Sequence, residues 1–229
     1  DRRRIVFVSN RDSGQPDIYV MGADGSDPVR LTDTPAREVA PKFSPDGKRI
    51  AFALQDEDKW TLRVMNADGS ADAQLAGPYK FVEFPSWRPG EDEIFYSAIE
   101  LTGGAADIFG IDLGTGLVSP KIVTDASDVC PHFSHDGQWL TYATDSGDDG
   151  QVDVFRHDLS SPATNGASDA RLTSSPGIDD YANYSPDDRS LVFVTRRDGQ
   201  SDLYVRDAAG GNQRPLTSTP ELQENVPDW

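Results

Sequence analysis

Apolar positions in this chain come in short runs rather than in long amphipathic stretches. Arg4-Ile5-Val6-Phe7-Val8 is β-branched and aromatic and reads as a strand, and the polar, Gly-bearing segment from Ser9 to Pro16 reads as a turn. Asp17 to Met21 is a second strand. Ala23-Asp24-Gly25-Ser26 then carries the Asp-Gly hairpin signal, because glycine tolerates positive φ. Val29 to Thr32 is a third strand and Ala40-Pro41-Lys42-Phe43 a fourth. Ser44-Pro45-Asp46-Gly47 turns the chain into Arg49 to Leu54, where the pattern restarts. No segment longer than about ten residues shows a 3.6-residue apolar period, so almost no helix is expected.

The restart is a repeat. A Ser-Pro-Asp-Gly-like tetrapeptide recurs at Ser44 to Gly47, Arg88 to Glu91, Ser134 to Gly137 and Ser185 to Asp188. An Asp-apolar-aromatic triplet keeps pace at Asp17-Ile18-Tyr19, Asp107-Ile108-Phe109, Asp153-Val154-Phe155 and Asp202-Leu203-Tyr204, degraded to Thr61-Leu62-Arg63 in the second copy. A Leu-Thr signal follows at Leu31-Thr32, Leu75-Ala76, Val123-Thr124, Leu172-Thr173 and Leu216-Thr217. The period of about 44 to 50 residues, with four short strands in each unit, is that of a β-propeller blade. The nearly continuous apolar runs suit sheets covered on both faces. A large ring recurs two residues after a proline, at Phe43, Trp87, Phe133 and Trp229, with Tyr184 after Ala182 in the fourth unit. It reads as a wedge between blades.

Strands 40–43, 84–87, 130–133, 181–184 and 226–229 form one equivalent set, and 4–8, 49–54, 93–98, 139–144 and 190–195 another. Five of each predicts an all-β, five-bladed propeller of four-stranded antiparallel blades occupying 1–229 as a single domain. Its repeats run at about 4–47, 48–91, 92–137, 138–188 and 189–229. Val226 to Trp229 is expected to complete the sheet opened by Ile5 to Val8 and so remove the ring's open edges.

The ordered set Asp-Ile-Tyr-Val-Met, Ala-Asp-Gly-Ser, Arg-Leu-Thr and Pro-x-aromatic-Ser-Pro-Asp-Gly resembles the WD-repeat-like propeller repeats of the TolB family, from Arg4 to Trp229. The usual propeller of that family has six blades and follows an N-terminal α/β domain; this sequence departs from both. The resemblance implies that the Pro-x-aromatic strand is the inner one, that the setting is periplasmic or secreted, and that the propeller docks a protein partner. No partner-contact motif carries over residue by residue.

Charge narrows the choice of partner. The formal net charge is −18, which argues against nucleic acid and anionic lipid, since phosphate binding needs clustered Lys and Arg. Asp outnumbers Glu by 31 to 8, which fits a fold rich in turns. No run approaches 18 consecutive apolar residues, so no membrane insertion is expected. A single cysteine, Cys130, excludes an internal disulfide framework, and a monomer is the expected state.

Candidate chemistry gathers before the inner strands. Three residues ahead of the proline position stand Glu38, Asp128, Asp179 and Glu224, while the second unit has Val82 there and Glu83 one place later. These acids read either as exposed loop residues or as a carboxylate rim near a channel mouth. Carboxylates about 8 Å apart repel, which a basic group of a partner or a bound Ca2+ relieves. The metal candidates are Glu38, Asp128, Asp179 and Glu224. Cys130, His132 and His135 lie close together, but repeat divergence explains them better than a soft-metal site does. No nucleophile elbow, phosphate loop or catalytic triad order stands out. The expected function is therefore a non-catalytic protein- or peptide-docking module with an acidic channel face. One alternative is a propeller glycosidase or polysaccharide lyase using the same carboxylates. Another is a regulatory propeller excised from a larger protein.

Overall fold

Among the described residues the apolar runs form strands, and the Gly-, Pro- and Asp-rich segments between them form the turns. The computed structural model describes residues 3–12, 14–147, 149–161, 164–197 and 199–218, which hold nineteen β-strands and no α-helix. The strands make five antiparallel sheets, the blades of a β-propeller. The first contains β1 (Arg4–Ser9), β2 (Asp17–Gly22) and β3 (Val29–Arg30). The second contains β4 (Arg37–Phe43), β5 (Arg49–Asp56), β6 (Lys59–Asn66) and β7 (Ala73–Tyr79), and the third β8 (Phe81–Trp87), β9 (Glu93–Ile99), β10 (Asp107–Asp112) and β11 (Val118–Ile122). The fourth holds β12 (Asp128–Phe133), β13 (Trp139–Thr144), β14 (Asp153–Asp158) and β15 (Ala170–Arg171). The fifth holds β16 (Asp179–Tyr184), β17 (Ser190–Thr195), β18 (Asp202–Asp207) and β19 (Arg214–Pro215). Within each sheet the strands lie in sequence order. The strand expected at 226–229, and with it the closing pair, lies outside the described residues.

Two compact units divide the chain: Asp1–Trp87 with Asp92–Gly104 and Phe109–Ser119, and Arg88–Glu91 with Ala105–Ile108 and Pro120–Trp229. In the first, one core forms around Ile18, Ile50, Phe52 and Met65 and another around Leu62, Trp87, Ile94 and Tyr96. In the second, Val154 packs with Ala182 and Phe193, and Tyr184 with Leu191 and Ala208.

The wedge residues behave as the repeat implies. Phe43 of β4 packs in the core that holds Val6 and Ile18 of the preceding sheet, and the Arg4 guanidinium lies 4.9 Å from its ring centroid. Trp87 of β8 repeats the device, with Arg49 at 4.7 Å from its ring and its indole N–H donating to the Lys42 carbonyl at 3.1 Å. Phe133 and Tyr184 are buried in the second unit, and Trp229 lies outside the described residues. The Ser-Pro-Asp-Gly serines are turn braces. Ser44 Oγ donates to Asp46 at 2.6 Å and accepts the Arg49 N–H at 2.9 Å, and Ser134 and Ser185 repeat both bonds with Asp136 and Trp139 and with Asp187 and Ser190.

Every described inner strand carries the same irregularity. The register slips by one residue between Val39 and Lys42, Glu83 and Ser86, Val129 and His132, and Asp180 and Asn183. At each slip a non-glycine residue holds positive φ: Ala40 at 51°, Phe84 at 57°, Cys130 at 57° and Tyr181 at 52°. These are one-residue β-bulges, and the extra residue resets the alternation of faces. Glu38 opposes Leu54 and Phe43 opposes Ile50, so the acid and the wedge ring, five positions apart, share one face of the sheet. Without the bulge they would point to opposite faces.

Candidate functional site

The inner strands begin two or three residues earlier than the sequence suggested, at Arg37, Phe81, Asp128 and Asp179. The acids therefore belong to strands, not to loops, and Glu38, Asp128 and Asp179 are each 0% exposed. A repeating cluster surrounds them. The backbone N–H of Glu38 donates to the Pro16 carbonyl at 3.1 Å, that of Asp128 to Ala106 at 2.7 Å, and that of Asp179 to Val152 at 2.8 Å. Each bond ties an inner strand to the chain just before the Asp-apolar-aromatic triplet of the preceding blade. Each acid thereby comes under the field of that triplet's aspartate: Glu38 with Asp17, Asp128 with Asp107, Asp179 with Asp153.

The threonine of the Leu-Thr signal stands between the two acids. Thr32 Oγ1 accepts the Ile18 N–H at 2.9 Å and reaches Glu38 at 3.5 Å, while Thr34 donates a short bond to the other Glu38 oxygen. Thr124 gives Asp128 both its backbone N–H, at 2.9 Å, and its hydroxyl, at 3.1 Å. Thr173 Oγ1 accepts the Val154 N–H at 2.9 Å and donates to Asp153 at 2.8 Å. Thr217 accepts the Leu203 N–H at 2.8 Å; Glu224, the acid expected beside it, lies outside the described residues. Arginine closes the clusters from the outer strand. Arg30 bridges Asp17 and Asp33 at 2.8 and 2.7 Å, and Arg171 bridges Asp153 and Asp149.

The second and third sheets explain why this is a cluster rather than a set of isolated residues. There the positions of Asp17, Thr32 and Glu38 are held by Thr61, Ala76 and Val82, and Ala76 and Val82 are buried. Acid and threonine are lost together, because a buried carboxylate without donors is costly and a buried apolar side chain needs none. That joint loss is visible in the sequence and was the overlooked sign of the cluster. Glu83 does not substitute for Val82. It opposes Ser97 while Val82 opposes Ala98, so one register step places the carboxylate on the other face of its sheet.

Burial governs the electrostatics. It holds the Glu38 carboxyl above its ordinary range, against the hydrogen bonds from Thr34 and Thr32. It pushes Asp128 up to about 6, against hydrogen bonds from Thr144 and Thr124. Asp179 is raised for the same reason, with the Thr195 hydroxyl and the Arg197 guanidinium opposing. Arg197 Nη2 stands 3.7 Å from one Asp179 oxygen. Burial raises Glu83 as well, opposed by Arg37. Among the described residues no three His, Cys, Asp or Glu side chains come together as a metal site. His135 instead faces Asp188, whose carboxylate also accepts the backbone N–H groups of His135 at 2.7 Å and Asp136 at 2.9 Å.

The loops that the cluster holds open onto a cleft in the second unit. Its volume is about 850 Å³. Thr124, Asp125 and Ala126 form one wall, Asp145, Ser146 and Gly147 another, and Phe155, Asp169 and Arg171 line it as well. Asp125 and Asp145 are exposed. Asp169 is fixed from beneath, accepting from the Tyr142 hydroxyl at 2.8 Å and facing His157 Nδ1 at 2.8 Å. Asp128 supports the first wall through Thr124, and Asp145 accepts the Ser127 N–H at 3.0 Å.

Residues 54–228 match the family model of the TolB beta propeller domain. A Protein TolB homolog of Chlorobium luteolum is 27% identical over 210 residues, 92% of this chain and 35% of that protein. The Tol-Pal system protein TolB of Bordetella pertussis is 29% identical over 164 residues, 72% of this chain and 36% of that protein. The chain thus spans about a third of these relatives' length. The crystal structure of TolB from Acinetobacter baumannii shares the fold with a TM-score of 0.78 at 20% identity, over 94% of this chain and 53% of that one. Among the described residues no helix is long and apolar enough to cross a membrane.

Proposed function

The chain belongs to the TolB β-propeller family, and from that premise we propose that it is a non-catalytic docking module for a protein or peptide, working in the periplasm. The relative named for a Tol-Pal system supports a protein partner. The cleft of about 850 Å³ in the second unit carries the reading. Its exposed acids, Asp125 and Asp145, favour a partner segment bearing lysine or arginine, and Phe155 offers an aromatic surface for the segment's aliphatic stems. Rim charges of this kind act mainly on encounter rate and partner choice.

The acids of the inner strands take a supporting part in this proposal. Asp128 is buried and bonded to Thr124, so it positions a wall of the cleft rather than touches the partner, and Glu38 and Asp179 are buried likewise. The docking proposed here uses no cation. A melting temperature raised by calcium beyond an equal concentration of magnesium would add one.

Affinity capture from the native extract tests the proposal. The intact chain is compared with a variant carrying Asp125→Asn and Asp145→Asn, both exposed and therefore compatible with folding. The variant is expected to lose most of the captured partner, and the loss should shrink as salt rises. Equal recovery by both proteins would contradict it.

A further inference from the structure

In a chain of net charge −18, the guanidinium of Arg206 stands apart. Arg206 lies on β18 and is 7% exposed. Among the described residues its one hydrogen bond is from Nε to the Asp207 carbonyl at 3.4 Å, the limit of such a contact, and it makes no ion pair. A second guanidinium, that of Arg156, is close enough to repel it, while the Asp207 and Asp179 carboxylates attract it from beyond ion-pair distance. Arg156 donates from Nη1 to the Ala208 carbonyl at 2.8 Å and stacks on Trp139 at 4.2 Å, and its Nε is buried without a partner. A buried guanidinium that reaches no carboxylate directly keeps most of its N–H groups available to a ligand.

Arg206 lines a cleft of about 330 Å³ at the β18–β19 hairpin, together with Ser190, Asn212 and Arg214. Asp207, the one acid in the lining, is occupied: its carboxylate accepts from the Asn212 amide at 2.6 Å. Gly210 holds φ of +110°, and a Cβ there would meet Arg206 Nη2 at 3.4 Å.

We propose that this cleft is a binding site for a phosphate-class oxyanion, held by the buried Arg206 fork and the exposed Arg214. A guanidinium presents parallel N–H groups that match two oxygens of one anion. Two arginines lining one cleft suit the near-dianionic charge of a phosphoryl group better than the single charge of a carboxylate. The acidic surroundings keep the affinity modest and the binding salt-sensitive.

Thermal unfolding tests the site, with sodium phosphate compared to sodium chloride at matched ionic strength and sodium acetate as a parallel arm. Phosphate is expected to raise the melting temperature saturably, and acetate to fall well short of it. Arg206→Met should weaken phosphate at least about tenfold. In the absence of phosphate the same variant should still fold, since Met fills the buried stem's volume and no direct ion pair is removed. Arg214→Ala, at an exposed position, should fold as the parent does and weaken phosphate several-fold, and it carries the test if Arg206→Met does not fold. No saturable rise, an equal rise in both variants, or acetate matching phosphate would overturn the proposal.

Discussion

Asp128 carries a charge that its surroundings resist. Its carboxyl titrates near 3.8 when solvated and is pushed by burial up to about 6 in the fold. Below about pH 4 both states hold the proton and the residue is neutral in its effect. As pH rises through the window from about 4 to 6 the unfolded state gives up its proton first, so stability falls, and above about 6 the loss is constant. Its full size is about 3 kcal/mol, from about 1.4 kcal/mol per pKa unit. Glu38 and Asp179 shift in the same direction for the same reason and add to the slope. The parent should therefore melt several degrees lower at pH 7.5 than at pH 5. Asp128→Asn keeps an acceptor for Thr124 but cannot titrate, and should flatten that difference. A slope unchanged by the substitution, read by calorimetry at both pH values, would show that the cluster does not bury this charge.

At the scale of the element, the bulge in each inner strand sets which side chains reach which face. Ala40 holds φ of 51°, a conformation that costs a non-glycine residue about 1–3 kcal/mol. Ala40→Gly should then be close to neutral in urea unfolding, within about 1 kcal/mol, because relief of strain offsets the greater freedom of the unfolded chain. Ala40→Val should cost about 2 kcal/mol or more, since a β-branched residue resists positive φ. Equal costs for the two would show that the bulge is not needed. This element also marks where the sequence ran out. The strands were legible because β-branched runs and Pro-Asp-Gly turns signal themselves locally. The bulges were not, because Ala40, Phe84, Cys130 and Tyr181 share no residue type and none is glycine. The side taken by Glu83 was equally hidden, since it depends on a register that only the paired strand Glu93–Ile99 defines. The acids looked like loop residues because charge commonly marks exposure. Their burial is explained by threonines that the Leu-Thr signal had already placed, and by the joint absence of both at Ala76 and Val82.

For the whole molecule, two of the repeat signals meet the inner-strand acids in one device, absent between the second and third sheets. The triplet aspartate of one blade, the threonine after its outer strand and the acid of the next inner strand join into a buried cluster, and the loops above it are left to vary. That division suits the proposed docking role: a structural cluster holds the scaffold, and the loops between clusters are free to differ. In the second unit those loops surround a cleft with exposed acids and an aromatic surface. The most direct test is amide hydrogen exchange of the intact chain with and without its captured partner. Docking at this cleft predicts slowed exchange at residues 123–126, 145–147 and 165–171. Protection confined to outer strands such as β7 or β19, with those three segments unchanged, would contradict it.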